Sequence, residues 1–93
     1  MQKVIVIIPH YNHSATVGEV VRQLHALDLP VLIVDDGSAE NHLRVLRTLQ
    51  QQPEVFVHYC PTNGGKGAAM KTGFRLAADM GFSHAVQVDA DGQ

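Results

Sequence analysis

Two carboxylates spaced one residue apart, Asp89 and Asp91, end the run Val86-Gln87-Val88 and open the segment Asp89-Ala90-Asp91-Gly92-Gln93. In extended backbone, residues two apart project to the same side, so both acids can face one cation or one sugar. Carboxylate oxygens suit hard cations such as Mg²⁺ or Mn²⁺, which keep several waters and take substrate phosphates in the rest of their sphere. Taken alone, the same residues also read as a solvated acidic turn after a buried strand. A second acid pair, Asp35-Asp36, directly follows Val31-Leu32-Ile33-Val34. In isolation it would be a turn or helix-capping pair.

A third cluster, Asn63-Gly64-Gly65-Lys66-Gly67, leaves backbone N–H groups accessible and adds the point charge of Lys66 just before a helix. A helix N-terminus with such a loop can meet an anion, whereas Lys66 by itself would be an ordinary solvated lysine. The cluster is no Walker loop, because Gly67, not Ser or Thr, follows the lysine. A fourth cluster, Pro9-His10-Tyr11-Asn12-His13, follows the first apolar run. Here His10 and His13 are placed on a loop, with no cysteine pair to make a zinc site.

Positioning these clusters falls to seven elements. Val4 to Ile8, Val31 to Val34, Val55 to Tyr59 and His84 to Val88 read as strands, the first two β-branched or apolar throughout and therefore covered on both faces. Pro9 is expected to end the first. Between them lie three helical patterns. Thr16 and Glu19 have capping-box spacing ahead of Val17, Val20, Val21 and Leu24; Ser38 or Asn41 is the expected cap ahead of Leu43, Leu46 and Leu49; and Ala69, Gly73 and Ala77 form a small-residue line with Gly81 as the terminal glycine. The β-α-β-α-β-α-β order predicts an α/β, Rossmann-like parallel sheet with right-handed crossovers. Strand order 3-2-1-4 is expected, because it brings every polar cluster to one edge beside the reversal of strand order.

The 93 residues make one small domain or part of a larger one, with 45% apolar and 17% charged residues, as in globular chains. A formal net charge of −2 argues against nucleic acid as a partner. The lone Cys60 and the absence of a signal peptide point to a cytoplasmic setting, with membrane association left to segments beyond Gln93. An acidic motif so close to the last residue suggests a truncated chain. Its fourth strand would then have an open edge around Ala85, Val86 and Val88, so a homo-oligomer is expected.

Four pieces in order, Val6-Ile7-Ile8-Pro9-x-Tyr11-Asn12, Val34-Asp35-Asp36-Gly37-Ser38, Asn63-x-Gly65-Lys66-Gly67-x-Ala69 with Gly73, and Asp89-Ala90-Asp91-Gly92-Gln93, resemble the nucleotide-binding part of a family 2 glycosyltransferase with the GT-A fold. The polyprenol-phosphate and dolichol-phosphate sugar transferases are the most similar branch. The resemblance implies that residues 1–93 are the N-terminal portion binding a nucleoside-diphosphate sugar, and that the acceptor, a polyprenyl phosphate or another lipid among the options, is bound elsewhere. It implies nucleotide contacts from Pro9, Tyr11, Val34, Asp36, Asp89 and Ala90, to which the glycine loop adds Lys66, and Mg²⁺ or Mn²⁺ held by Asp91 and Gln93, to which the one-residue spacing of the acids adds Asp89. No general base is assigned within this portion, so the portion alone is expected to bind nucleotide without turnover. His13 departs from the pattern, where Glu is usual, as does Ala39-Glu40-Asn41. Two other classes compete: a receiver-like signalling module, which should carry its acid pair after the first strand, and a sugar-nucleotidyl transferase, which should follow that strand with a basic Gly-rich loop.

Overall fold

A computed structural model describes residues 3–90. The elements are β1 (Val4–His10), α1 (Ser14–Ala26), β2 (Val31–Asp35), α2 (Glu40–Leu49), β3 (Val55–Tyr59), α3 (Lys66–Asp79) and β4 (His84–Gln87). The four strands form one parallel sheet in the order β3-β2-β1-β4, as expected from the placement of the polar clusters.

Strand alternation divides the core into two layers. Val6 and Ile8 of β1 and Val31 and Ile33 of β2 face α1 and α2, where Val17, Val21 and Leu46 are buried against them. Ile5, Ile7, Leu32 and Val34 face α3, meeting Ala69, Met70 and Ala77. Burial on both faces is the reason these two strands are apolar throughout. The edge strands are less covered: Phe56 of β3 and Val86 of β4 are exposed.

Pro9 does not end β1; it ends β4. The odd residues of β1 turn their backbone groups toward β4, where the N–H of Val88 reaches the Ile7 carbonyl at 3.0 Å. The next rung would need an N–H from Pro9, which has none, so the β1–β4 ladder stops while β1 continues beside β2 to His10. The chain after Gln87 is thereby released from the sheet.

Neither expected side-chain cap forms. Helix α1 starts at Ser14 with His13 as its cap residue, Thr16 Oγ donates to the His13 carbonyl at 3.2 Å, and the Glu19 carboxylate is taken by Arg22 and Gln23 instead of the helix start. Helix α2 has Ala39 in the cap position. Ser38 is engaged by Asp35 and by the N–H of Asn12, and the Asn12 side-chain oxygen accepts from the Ala39 N–H at 3.0 Å. Long-range tethers have displaced the local ones. Helix α3 follows its expectation at the C-terminus, where Gly81 at φ +93 succeeds the cap residue Met80.

Candidate functional site

The site is built at the carboxyl ends of the strands, and alternation sends its two adjacent acids in opposite directions. Asp35, 1% exposed, points to the α1–α2 side. Its Oδ1 accepts from His10 Nδ1 at 2.8 Å and from Ser38 Oγ at 2.6 Å, and its Oδ2 accepts from the Ser38 N–H at 3.0 Å and the Gly37 N–H at 3.2 Å. Four donors use up its oxygens, so Asp35 is an organiser of loops rather than a free ligand. Asp36 points to the α3 side, with Oδ1 2.9 Å from the Gly64 N–H and Oδ2 2.8 Å from the Gly65 N–H. Each of its oxygens keeps a second acceptor direction.

A cleft of about 280 Å³ opens between these loops. Its walls come from four segments: Pro9, His10, Tyr11 and His13 after β1, Asp36 after β2, Lys66 and Ala69 at the start of α3, and Asp89 and Ala90 after β4. Lys66 Nζ lies 2.8 Å from Asp89 Oδ1 across the mouth. The ammonium of Lys66, and after it the Gln87 amide at 3.0 Å, hold the Asp89 carboxyl below its ordinary range. No side chain caps α3, so the N–H groups of Lys66, Gly67 and Ala68 have no intrahelical partner and direct positive potential toward the same end. A polar, partly cationic floor under a half-exposed aromatic ring suits a phosphorylated ligand with a flat group.

Of the residues singled out from the sequence, Pro9, Tyr11, Asp36, Lys66, Asp89 and Ala90 line this cleft together. Val34 does not; it is fully buried in the layer beneath α3. Asp91 and Gln93 lie outside the described residues. Among the described residues no group of three or more His, Cys, Asp or Glu side chains is placed to hold a metal ion. Asp89 does offer a hard, ionised oxygen donor at the cleft, the donor type that Mg²⁺ and Mn²⁺ take.

The sequence pattern places His10 on a loop, and the structure corrects this: it is the last residue of β1 and 2% exposed. Its Nδ1 faces Asp35, and its Nε2 accepts from the His13 N–H at 3.1 Å. Burial pushes the imidazole below its ordinary value, outweighing the opposing pull of the Asp35 carboxylate. The only signal in the sequence was the continued alternation of β1 through Val6, Ile8 and His10, which places His10 on a buried face.

The model of the family described as Glycosyl transferase family 2 matches residues 5–93. A polyprenol monophosphomannose synthase from Mycolicibacterium smegmatis is 34% identical over 98% of the chain, and a UDP-N-acetylglucosamine–dolichyl-phosphate N-acetylglucosaminyltransferase from Methanococcus voltae is 32% identical over 97%. The chain spans 36% and 41% of those two proteins. A mannosyltransferase from Pyrobaculum calidifontis, solved with GDP-Man and Mn²⁺, superposes with a TM-score of 0.81 at 25% identity over 96% of this chain and 27% of its own.

Proposed function

The chain belongs to glycosyl transferase family 2 and has the GT-A sheet, and we propose that it is the donor-binding portion of an enzyme that moves a sugar from a nucleoside diphosphate to an acceptor. The observation that carries this reading is the convergence of six sequence-selected residues from four separate segments on one cleft. In this reading Tyr11 and Pro9 border the base, the spare acceptor directions of Asp36 take its N–H groups, and Lys66 with the α3 N-terminus takes the diphosphate. The Lys66–Asp89 pair opens as the ligand enters. Both side chains are substantially exposed, and such pairs contribute little, so a charge-assisted bond to phosphate readily replaces this one.

The residues that would hold a divalent cation are Asp89, with Asp91 and Gln93 from the sequence beyond it. When bound, the cation neutralises the charge developing on the departing nucleoside diphosphate. The relatives bearing polyprenol and dolichyl phosphate in their names support a lipid-linked phosphate as acceptor. No helix among the described residues is long and apolar enough to cross a membrane. A receiver-like module fits less well, because its sheet order sets the third strand beside the first, whereas here β3 lies beside β2.

Calorimetric titration of UDP and GDP with and without Mn²⁺ tests the reading. Asp91→Ala should abolish the metal-dependent part of the binding, while Asp36→Ala should weaken binding in both conditions. Equal isotherms for both variants and the parent would sink the assignment. A further expectation concerns charge: Lys66→Met should weaken UDP about five- to tenfold while leaving uridine nearly unaffected, and the difference should shrink at high salt. Uridine and UDP weakened alike would remove Lys66 from the phosphate site.

A further inference from the structure

We propose that His10 is a positioning residue for nucleotide binding, holding the Tyr11-Asn12-His13 segment against the cleft through its uncharged, Nδ1-protonated tautomer. The inference rests on the reading of the cleft as a nucleotide site. The hydrogen-bond pattern leaves one protonation state. A backbone N–H can only donate, so the His13 N–H 3.1 Å from Nε2 requires that nitrogen to accept, and the ring proton then sits on Nδ1, facing the Asp35 carboxylate at 2.8 Å. The other tautomer would set two donors head to head at Nε2 and leave Asp35 without this bond. Protonating the ring would likewise turn Nε2 into a donor aimed at a donor.

The segment needs such a tether. Asn12 sits at φ +54, in the left-handed region that is uncommon for residues with a side chain. Two arms reach it from one carboxylate: Asp35 to His10 to the His13 N–H, and Asp35 to Ser38 Oγ, which accepts from the Asn12 N–H at 2.9 Å. Tyr11 and His13, on either side of Asn12, both line the cleft. Loss of one arm therefore displaces two wall residues beside His10, which lies in the same wall but is only 2% exposed.

The charged and titratable groups around the imidazole are Asp35 from β2, His42 from α2 with its ring centroid 6.5 Å away, and His13 from the following turn. Asp35 favours the protonated ring; burial, the largest influence, and the two histidines oppose it. The neutral ring is therefore kept at neutral pH, and the tether fails only on acidification below the ordinary 6.5.

The experiment combines titration of UDP and GDP with Mn²⁺ between pH 7.5 and 5 with nitrogen-15 NMR of the histidine rings. The parent should hold constant affinity at neutral pH and weaken only on acidification below the ordinary 6.5, levelling off near the roughly tenfold loss expected when the tether is absent. His10→Phe keeps a ring but neither bond, and should bind about tenfold more weakly at pH 7.5 with no acid step of its own. His10→Gln restores an acceptor for the His13 N–H; it should recover most of that loss while still lacking the acid step. The ring spectrum should show a proton on Nδ1, and the His13 amide resonance should move as His10 titrates. Comparing parent with Gln variant cancels titration of the phosphates and of the other histidines. An Nε2-protonated ring, or an acid step unchanged in the Gln variant, would overturn the proposal. If the parent binds neither nucleotide at neutral pH, the donor-site reading fails, while the ring tautomer and the His13 amide still decide the tether. Should His10→Phe not fold, the Gln variant and the spectra carry the decision.

Discussion

Asp35→Ala is expected to cost about 3–5 kcal/mol of folding stability, because it removes the acceptor of four hydrogen bonds at a site closed to water. His10 Nδ1–H, Ser38 Oγ, and the N–H groups of Ser38 and Gly37 would be left without their partner. For a domain of this size that is a large share of the total, so the urea midpoint should fall steeply. Asparagine should rescue little. Each carboxylate oxygen accepts from two donors, so either orientation of the amide sets an NH₂ group against a pair of N–H or O–H groups. Urea unfolding of both variants is the measurement. A loss below about 1 kcal/mol for Asp35→Asn would mean that the network tolerates a donor there, and the division of labour between Asp35 and Asp36 would need redrawing.

The second large effect is expected at Gly73, on the face of α3 that lies against β1. A Cβ there would stand 2.7 Å from Ile7 Cγ2 and 3.2 Å from Val34 Cγ2, and Ile7 is wholly buried in an interior strand. Alanine ordinarily strengthens a helix by about 1 kcal/mol relative to glycine. Here the overpacking cost, about 1–3 kcal/mol, should exceed that gain, and Gly73→Val should be worse. A double-mutant cycle isolates the cause: Ile7→Ala removes the clashing methyl, so the pair Gly73→Ala/Ile7→Ala should be less destabilised than the sum of the two single changes. Additive losses would show that α3 moves aside and that close approach is not what glycine provides.

The strands and their order were legible because their determinants are local and repeated. Val4 to Ile8 and Val31 to Val34 carry β-branched or apolar side chains on both faces, and every polar cluster follows a strand, which is informative only if those ends share an edge. The convergence of Pro9, Tyr11, Asp36, Lys66, Asp89 and Ala90 followed from the same reasoning. The helix starts were not legible. Thr16 with Glu19, and Ser38 ahead of α2, satisfy every local capping rule, yet Ser38 bonds Asn12 across 26 positions and Ser14 bonds His42 across 28. Spacing rules reach only four or so residues and cannot see such partners. His10 was misplaced for a related reason: proline after an apolar run normally marks a strand end, and only the neighbouring strand shows that the missing N–H faces β4.

That missing N–H makes the mouth of the cleft a fork in the backbone. β1 and β4 run zipped together to Ile7 and Gln87 and then part, with Ala90 folding back to bury itself in the α1–α2 layer. The point of parting is fixed by the absence of one hydrogen atom rather than by the size of any side chain. Lining residues other than Pro9 can therefore be exchanged to suit another ligand without changing how deep the fork is cut, whereas any residue with an N–H in place of Pro9 supplies the next tooth of the zip. Depth and lining are separate variables in this fold, set by different atoms.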